Sequence, residues 1–136
     1  IIGGGLVGLE LAEYLVERGR KVVVLEPGPD LGAELAIVRR ASVLHMLREH
    51  GAVIHRQASA IKISADAVSF ELKGESLSLP ARQVIIAMGA QPDDTMQIQL
   101  AGQEARVHRI GDCRDVGYID GAILDARQLV QAINLA

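Results

Sequence analysis

The first ten residues, IIGGGLVGLE, set three consecutive glycines directly behind two β-branched residues and place a fourth, Gly8, shortly after. Glycine weakens both strands and helices. Its density here demands a sharp turn and a backbone that lies close to something. Gly3, Gly5 and Gly8 spell G-x-G-x-x-G between a strand and a segment, residues 6–19, that reads as a helix. Gly3 permits the tight turn. Gly5 lets the main chain approach a pyrophosphate, and Gly8 lets the helix pack closely on the strand. The helix start adds free N–H groups and about +0.5 of charge. Glu26 ends the next β-branched run, KVVVLE, 18 residues beyond Gly8. A carboxylate there can accept hydrogen bonds from both ribose hydroxyls of an adenosine half. The pattern predicts dinucleotide binding; the competing reading is a turn that merely packs tightly.

Only Ile1 and Ile2 precede the glycines, whereas a core strand usually has about 5–6 residues. The opening strand is therefore expected to be cut short, and the chain to be an excerpt of something longer. Beyond it, Gly8, Leu11, Ala12 and Leu15 mark the expected buried stripe of the first helix, with Glu10, Glu13 and Glu17 opposite. Residues 21–26 read as a strand buried on both faces. PGPD breaks it, and a second helix is expected over residues 34–49, with Ile37, Val38, Leu44 and Leu47 in the core. A short strand follows at residues 52–55. Residues 60–79 have no helical stripe and carry turn signals at Ala65–Asp66 and at KGE, which predicts a three-stranded antiparallel meander. Residues 83–89 read as a further buried strand, 90–105 as irregular, 106–112 as a strand and 122–133 as a last helix. Short β-α-β connections imply parallel strands with right-handed crossovers.

Composition supports this class. The chain has 136 residues, of which 49% are hydrophobic and only 2% aromatic, an aliphatic balance suited to a sheet covered on both faces. Its net charge of −3 leaves no basic surplus for nucleic acid. No apolar run approaches the ~20 residues of a membrane span, so no membrane partner is expected. The single cysteine, Cys113, excludes an internal disulfide and suits a reducing, cytoplasmic compartment. Glu26 would repel a 2′-phosphate, which favours NAD(H) over NADP(H). Arg39 and Arg40 could oppose that by reaching such a phosphate, or could form a solvated helix face.

The opening IIGGGLVGLELAEYLVERGRKVVVLEP, the meander, VIIAMGAQPD and RIGDC, in that order, resemble the second half of a flavoprotein with two dinucleotide-binding domains. The likeness covers essentially the whole chain. GPDLG, VRRASVLHMLREHGAVI and HRIGDCRDVGYIDGAILDARQLVQAI are most similar to the C-terminal part of the NADH:flavin oxidoreductases related to 2,4-dienoyl-CoA reductase and to trimethylamine and histamine dehydrogenases. The resemblance implies a Rossmann-like α/β fold in three layers, β/β/α, with a central parallel sheet and an antiparallel meander. It implies a nicotinamide-nucleotide domain over residues 1–85 and the returning part of an FAD- or ADP-binding domain over 86–136.

The resemblance also assigns roles. Gly3, Gly5, Leu6, Val7 and Gly8 match the pyrophosphate turn. Glu10 matches an acidic residue near the nicotinamide carboxamide, or is a solvated helix position. Met88 and Gly89 match an A-T-G crossover motif in which Met88 replaces threonine, losing a hydroxyl hydrogen bond. Gly111 and Asp112 match a G-D motif whose carboxylate binds FAD near its ribityl chain or pyrophosphate; the competing role for Asp112 is a cap after the last strand. Implied cofactors are NADH and FAD, or ADP in the dehydrogenase branch. FMN, a 4Fe–4S cluster and a barrel domain are implied only for an upstream part. In the second branch the domain would be a nucleotide-binding structural module rather than a catalytic one.

Hydride transfer between cofactors needs no acid or base from these residues, so no catalytic side chain is expected. Cys113 has no C-x-x-C partner and is expected to be a small buried residue. His45, His50 and His55 recur every five residues, but that step turns a helix by about 140°, so they share no face and no metal site is expected.

Overall fold

The computed structural model describes residues 1–102 and 106–134. These fall into two compact units, one of residues 1–89 and one of the described residues from 90 onward. In the first, helix α1 spans Leu6–Val16, strand β1 Val23–Glu26, helix α2 Ile37–Glu49 and strand β2 Val53–Arg56. The meander follows as β3 (Ala58–Ile63), β4 (Ala67–Leu72) and β5 (Glu75–Pro80). β1 and β2 pair in parallel, Val23 opposite Val53 and Glu26 opposite Arg56. Ile2 lies between two parallel neighbours, bridging to Leu25 on one side and Ile86 on the other. Its N–H donates to Ile85 O at 2.8 Å, and its carbonyl accepts from Ala87 N–H at 2.7 Å.

Three layers follow from the two faces of β1. Side chains alternate along a strand, so Val22 and Val24 pack with Leu9, Ala12 and Val16 of α1 and with Val43 and Leu47 of α2. Leu25 points the other way, joining Ile2, Ala58, Val68 and Phe70 of the meander. The continuous apolar run in KVVVLE is therefore buried on both sides, as expected. The β4–β5 hairpin turns at Lys73 and Gly74, both at positive φ (52° and 84°), the primed geometry that matches strand twist. β3 meets β4 with a bulge between Ala60 and Lys62.

Several sequence expectations need correction. The buried face of α1 is Gly8, Leu9, Ala12 and Val16, not Gly8, Leu11, Ala12 and Leu15; both stripes have helical spacing, and the sheet selects the one rotated toward it. In α2 the core residues are Val43 and Leu47. Ile37 and Val38 are 86% and 83% exposed and lie outside the core cluster that Val43 and Leu47 join. Residues 83–89 form a single bridge rather than a buried strand, with Ile86 64% exposed: they have a partner on one edge only.

The second unit holds a short helix α3, Thr95–Gln99, inside the stretch expected to be irregular; residues 103–105 of that stretch lie outside the described residues. Described residues 106–110 form no strand, and Gly111–Cys113 is a single 3₁₀ turn. Helix α4, Tyr118–Asn134, begins four residues earlier than expected. Its one buried residue is Asp125, which accepts a hydrogen bond from Gly111 N–H at 2.9 Å and pairs with Arg114 at 2.5 Å. Cys113 is exposed rather than buried, its thiol 3.1 Å from Ile110 O. No described helix is long and apolar enough to cross a membrane.

Candidate functional site

The turn between Ile2 and α1 is built by two close approaches. Gly3 has φ +106°, and a β-carbon on it would lie 2.2 Å from Ala87 O. A β-carbon on Gly8 would lie 2.0 Å from Gly3 O. Both glycines are obligatory for packing: α1 lies directly on the opening strand, as its spacing predicted. Gly5 differs. It is the residue before α1, extended at φ −74°, ψ −167°, with no side-chain cap on the helix. The first helical hydrogen bond runs from Leu9 N–H to Gly5 O. Among the described residues, no protein group accepts from the N–H of Gly5, Leu6, Val7 or Gly8. A helix start leaves such donors pointing out along its axis, where they complement an anion.

Glu26 stands at the C-terminal end of β1, beside this turn. Its Oε2 accepts the Gly4 N–H at 2.7 Å and its Oε1 accepts the Gly28 N–H at 2.6 Å. One carboxylate thus ties the glycine turn to the loop after β1. Each oxygen keeps a further lone pair for an incoming hydroxyl. The part of Gly4 is not legible in the sequence motif, which counts only the first, third and sixth positions.

The remaining candidates are placed as follows. Glu10 is exposed on α1, and Val7 is exposed beside the free donors. Met88 is 66% exposed, and Gly89 has φ +89° with open space around its α-carbon. In the second unit Gly111 is buried at φ +68°. Asp112 Oδ1 accepts from the N–H of Gly117 and of Tyr118, each at 3.0 Å, so it caps the entry to α4. Its Oδ2 has no hydrogen-bond partner among the described residues.

The two arginines of α2 are committed elsewhere. Arg39 forms a two-pronged pair with Glu13 of α1, one contact at 2.8 Å. Arg39's hydrogen bonds hold the Glu13 carboxyl below the usual glutamate range, against a smaller opposing effect of burial. Arg40 faces Asp30 at 3.4 Å. Of the histidines, His50 Nδ1 lies 2.9 Å from Met46 O, and the His55 ring packs tilted against Phe70, their centres 5.4 Å apart.

A cleft of about 510 Å³ lies at the other end of the sheet, lined by Ile1, Lys21, Val23, Val68 and residues 79–85. Nucleotides bind outside the carboxyl ends of parallel strands, which is the end that carries Gly3 and Glu26. The glycine turn, not this cleft, is the candidate site.

The family model for the pyridine nucleotide-disulphide oxidoreductases matches residues 1–116. The chain belongs to that family. This oxidoreductase domain is 30% identical over 115 residues to a bilirubin reductase of Mediterraneibacter gnavus, covering 85% of the chain and 18% of that protein. It is 29% identical over 135 residues to an NADH oxidase of Thermoanaerobacter brockii, covering 98% and 21%. A solved 2-naphthoyl-CoA reductase superposes with a TM-score of 0.80 at 27% identity, over 91% of the chain and 19% of the other. The chain thus spans about a fifth of the length of these relatives. The chain is thus a pyridine nucleotide-disulphide oxidoreductase domain with a mixed α/β fold, its described residues forming one parallel and one antiparallel sheet.

Proposed function

We propose that this chain is the nicotinamide-nucleotide-binding part of an NADH:flavin oxidoreductase of the 2,4-dienoyl-CoA reductase-like branch, and that residues 1–85 hold NADH. The carrying observation is the set of unpartnered N–H groups on Gly5, Leu6, Val7 and Gly8 beside the Glu26 carboxylate. The donor set fits a diphosphate: Gly5 keeps side chains away, and the helix start supplies the charge. Glu26 accepts from the adenosine ribose with its free lone pairs and, as an anion, disfavours a 2′-phosphate. Pairing of Arg39 with Glu13 and of Arg40 with Asp30 also favours NADH over NADPH. Glu10 faces the nicotinamide end, and Met88 and Gly89 line the crossover.

Held by the N–H groups of residues 5–8 and by Glu26, NADH would supply a hydride to a flavin. This chain contributes grip and orientation. Residues 86–136 are read as the returning part of the FAD domain, with Gly111 and the free Asp112 Oδ2 facing the flavin nucleotide. FMN, a 4Fe–4S cluster and the final substrate belong to an upstream part of the protein. The relatives, an NADH oxidase and two reductases, support this reading.

The test is NADH titration by fluorescence with wild type and Gly5→Val. The Gly5 backbone is extended, so the main chain tolerates a side chain; its β-carbon would lie 3.3 Å from Oε1 of the exposed Glu34, which swings aside as valine crowds the turn. Wild type is expected to bind NADH, and the variant to bind at least about tenfold more weakly, a loss of about 1.4 kcal/mol, with unchanged melting. Equal binding by the two proteins, or none by wild type, refutes the proposal.

A further inference from the structure

A β-carbon on Gly5 would lie 3.3 Å from Glu34 Oε1 and 3.6 Å from Oε2. A second carboxylate, besides that of Glu26, therefore lies against the turn. Glu26 is engaged by two backbone donors. Glu34 is exposed and has neither a hydrogen bond nor an ion pair among the described residues. The cations of the neighbouring helix do not neutralise it, since Arg39 is taken by Glu13 and Arg40 by Asp30.

We infer that Glu34 is a charge filter on the diphosphate turn, selecting dinucleotides over nucleoside diphosphates. The inference rests on the nucleotide reading of that turn and adds to it. A dinucleotide's diphosphate is a diester with one negative charge on each phosphate. ADP ends in a terminal phosphate, which carries most of a second charge near neutral pH. An unneutralised carboxylate beside the turn repels both ligands, and repels the extra charge of ADP in addition. Glu34 thus biases the same backbone donors toward NADH and away from ADP.

The experiment is isothermal titration of wild type and Glu34→Gln with NADH and with ADP, at low salt. Glu34 is exposed and unpaired, so the variant is expected to melt with wild type. One unit charge a few ångströms away in a solvated site is worth about a fivefold change in affinity. Glu34→Gln is therefore expected to tighten ADP about fivefold more than it tightens NADH, with the difference shrinking as salt is raised. If wild type binds NADH and the substitution alters both affinities equally or neither, the filter is overturned while the nucleotide site stands. If neither ligand binds either protein, the site itself fails and the filter with it.

Discussion

Glu26→Gln removes one acceptor from a position with two donors. In the folded protein Oε2 takes the Gly4 N–H at 2.7 Å and Oε1 the Gly28 N–H at 2.6 Å. A glutamine amide offers one oxygen, so its NH₂ group must face the other backbone N–H. The change forfeits one charge-assisted hydrogen bond and weakens the second, a cost of about 2–3 kcal/mol. For a unit of this size each kcal/mol lowers the melting temperature by about 4–8 °C, which predicts a fall of about 8–24 °C. Circular dichroism measures this without any nucleotide. Loss of the charged acceptor for the ribose should cost a further 1.5–3 kcal/mol or so of NADH binding, measured by calorimetry well below both transitions. Melting within about 2 °C of wild type would refute the idea that Glu26 latches the turn. Unchanged melting together with weakened binding would leave it a ligand contact only.

Gly8→Ala places a β-carbon 2.0 Å from Gly3 O; relief requires moving α1 off the opening strand, so a loss of about 3 kcal/mol or more and poor folding are expected in urea titrations. Glu13→Gln tests the tie between α1 and α2. Glu13's carboxyl is depressed mainly by the hydrogen bond from Arg39, so the charged pair contributes stability above the usual glutamate range and loses it as pH falls through the depressed value. The melting difference between wild type and Glu13→Gln should be constant near neutrality and shrink on acidification through that range. A difference that grows on acidification would show the pair to be destabilising.

The sequence alone determined the β-α-β order, the parallel pairing, the meander and the purpose of Gly3 and Gly8. Those follow from period, β-branching and the absence of a β-carbon, which act between near neighbours in the chain. Tertiary structure decided which of two equally spaced stripes of α1 turns inward, because only the position of the sheet distinguishes Leu9 and Val16 from Leu11 and Leu15. It decided that residues 83–89, apolar enough for a core strand, lie at an edge, and that Cys113 is exposed. It also decided how the charges pair. Glu26 is fastened to Gly4, Arg39 to Glu13 and Asp125 to Gly111, and Glu34 is left over Gly5 without a cation. These partners are distant in sequence, so no local pattern announces them; electrostatic neighbours exist only once the chain has packed.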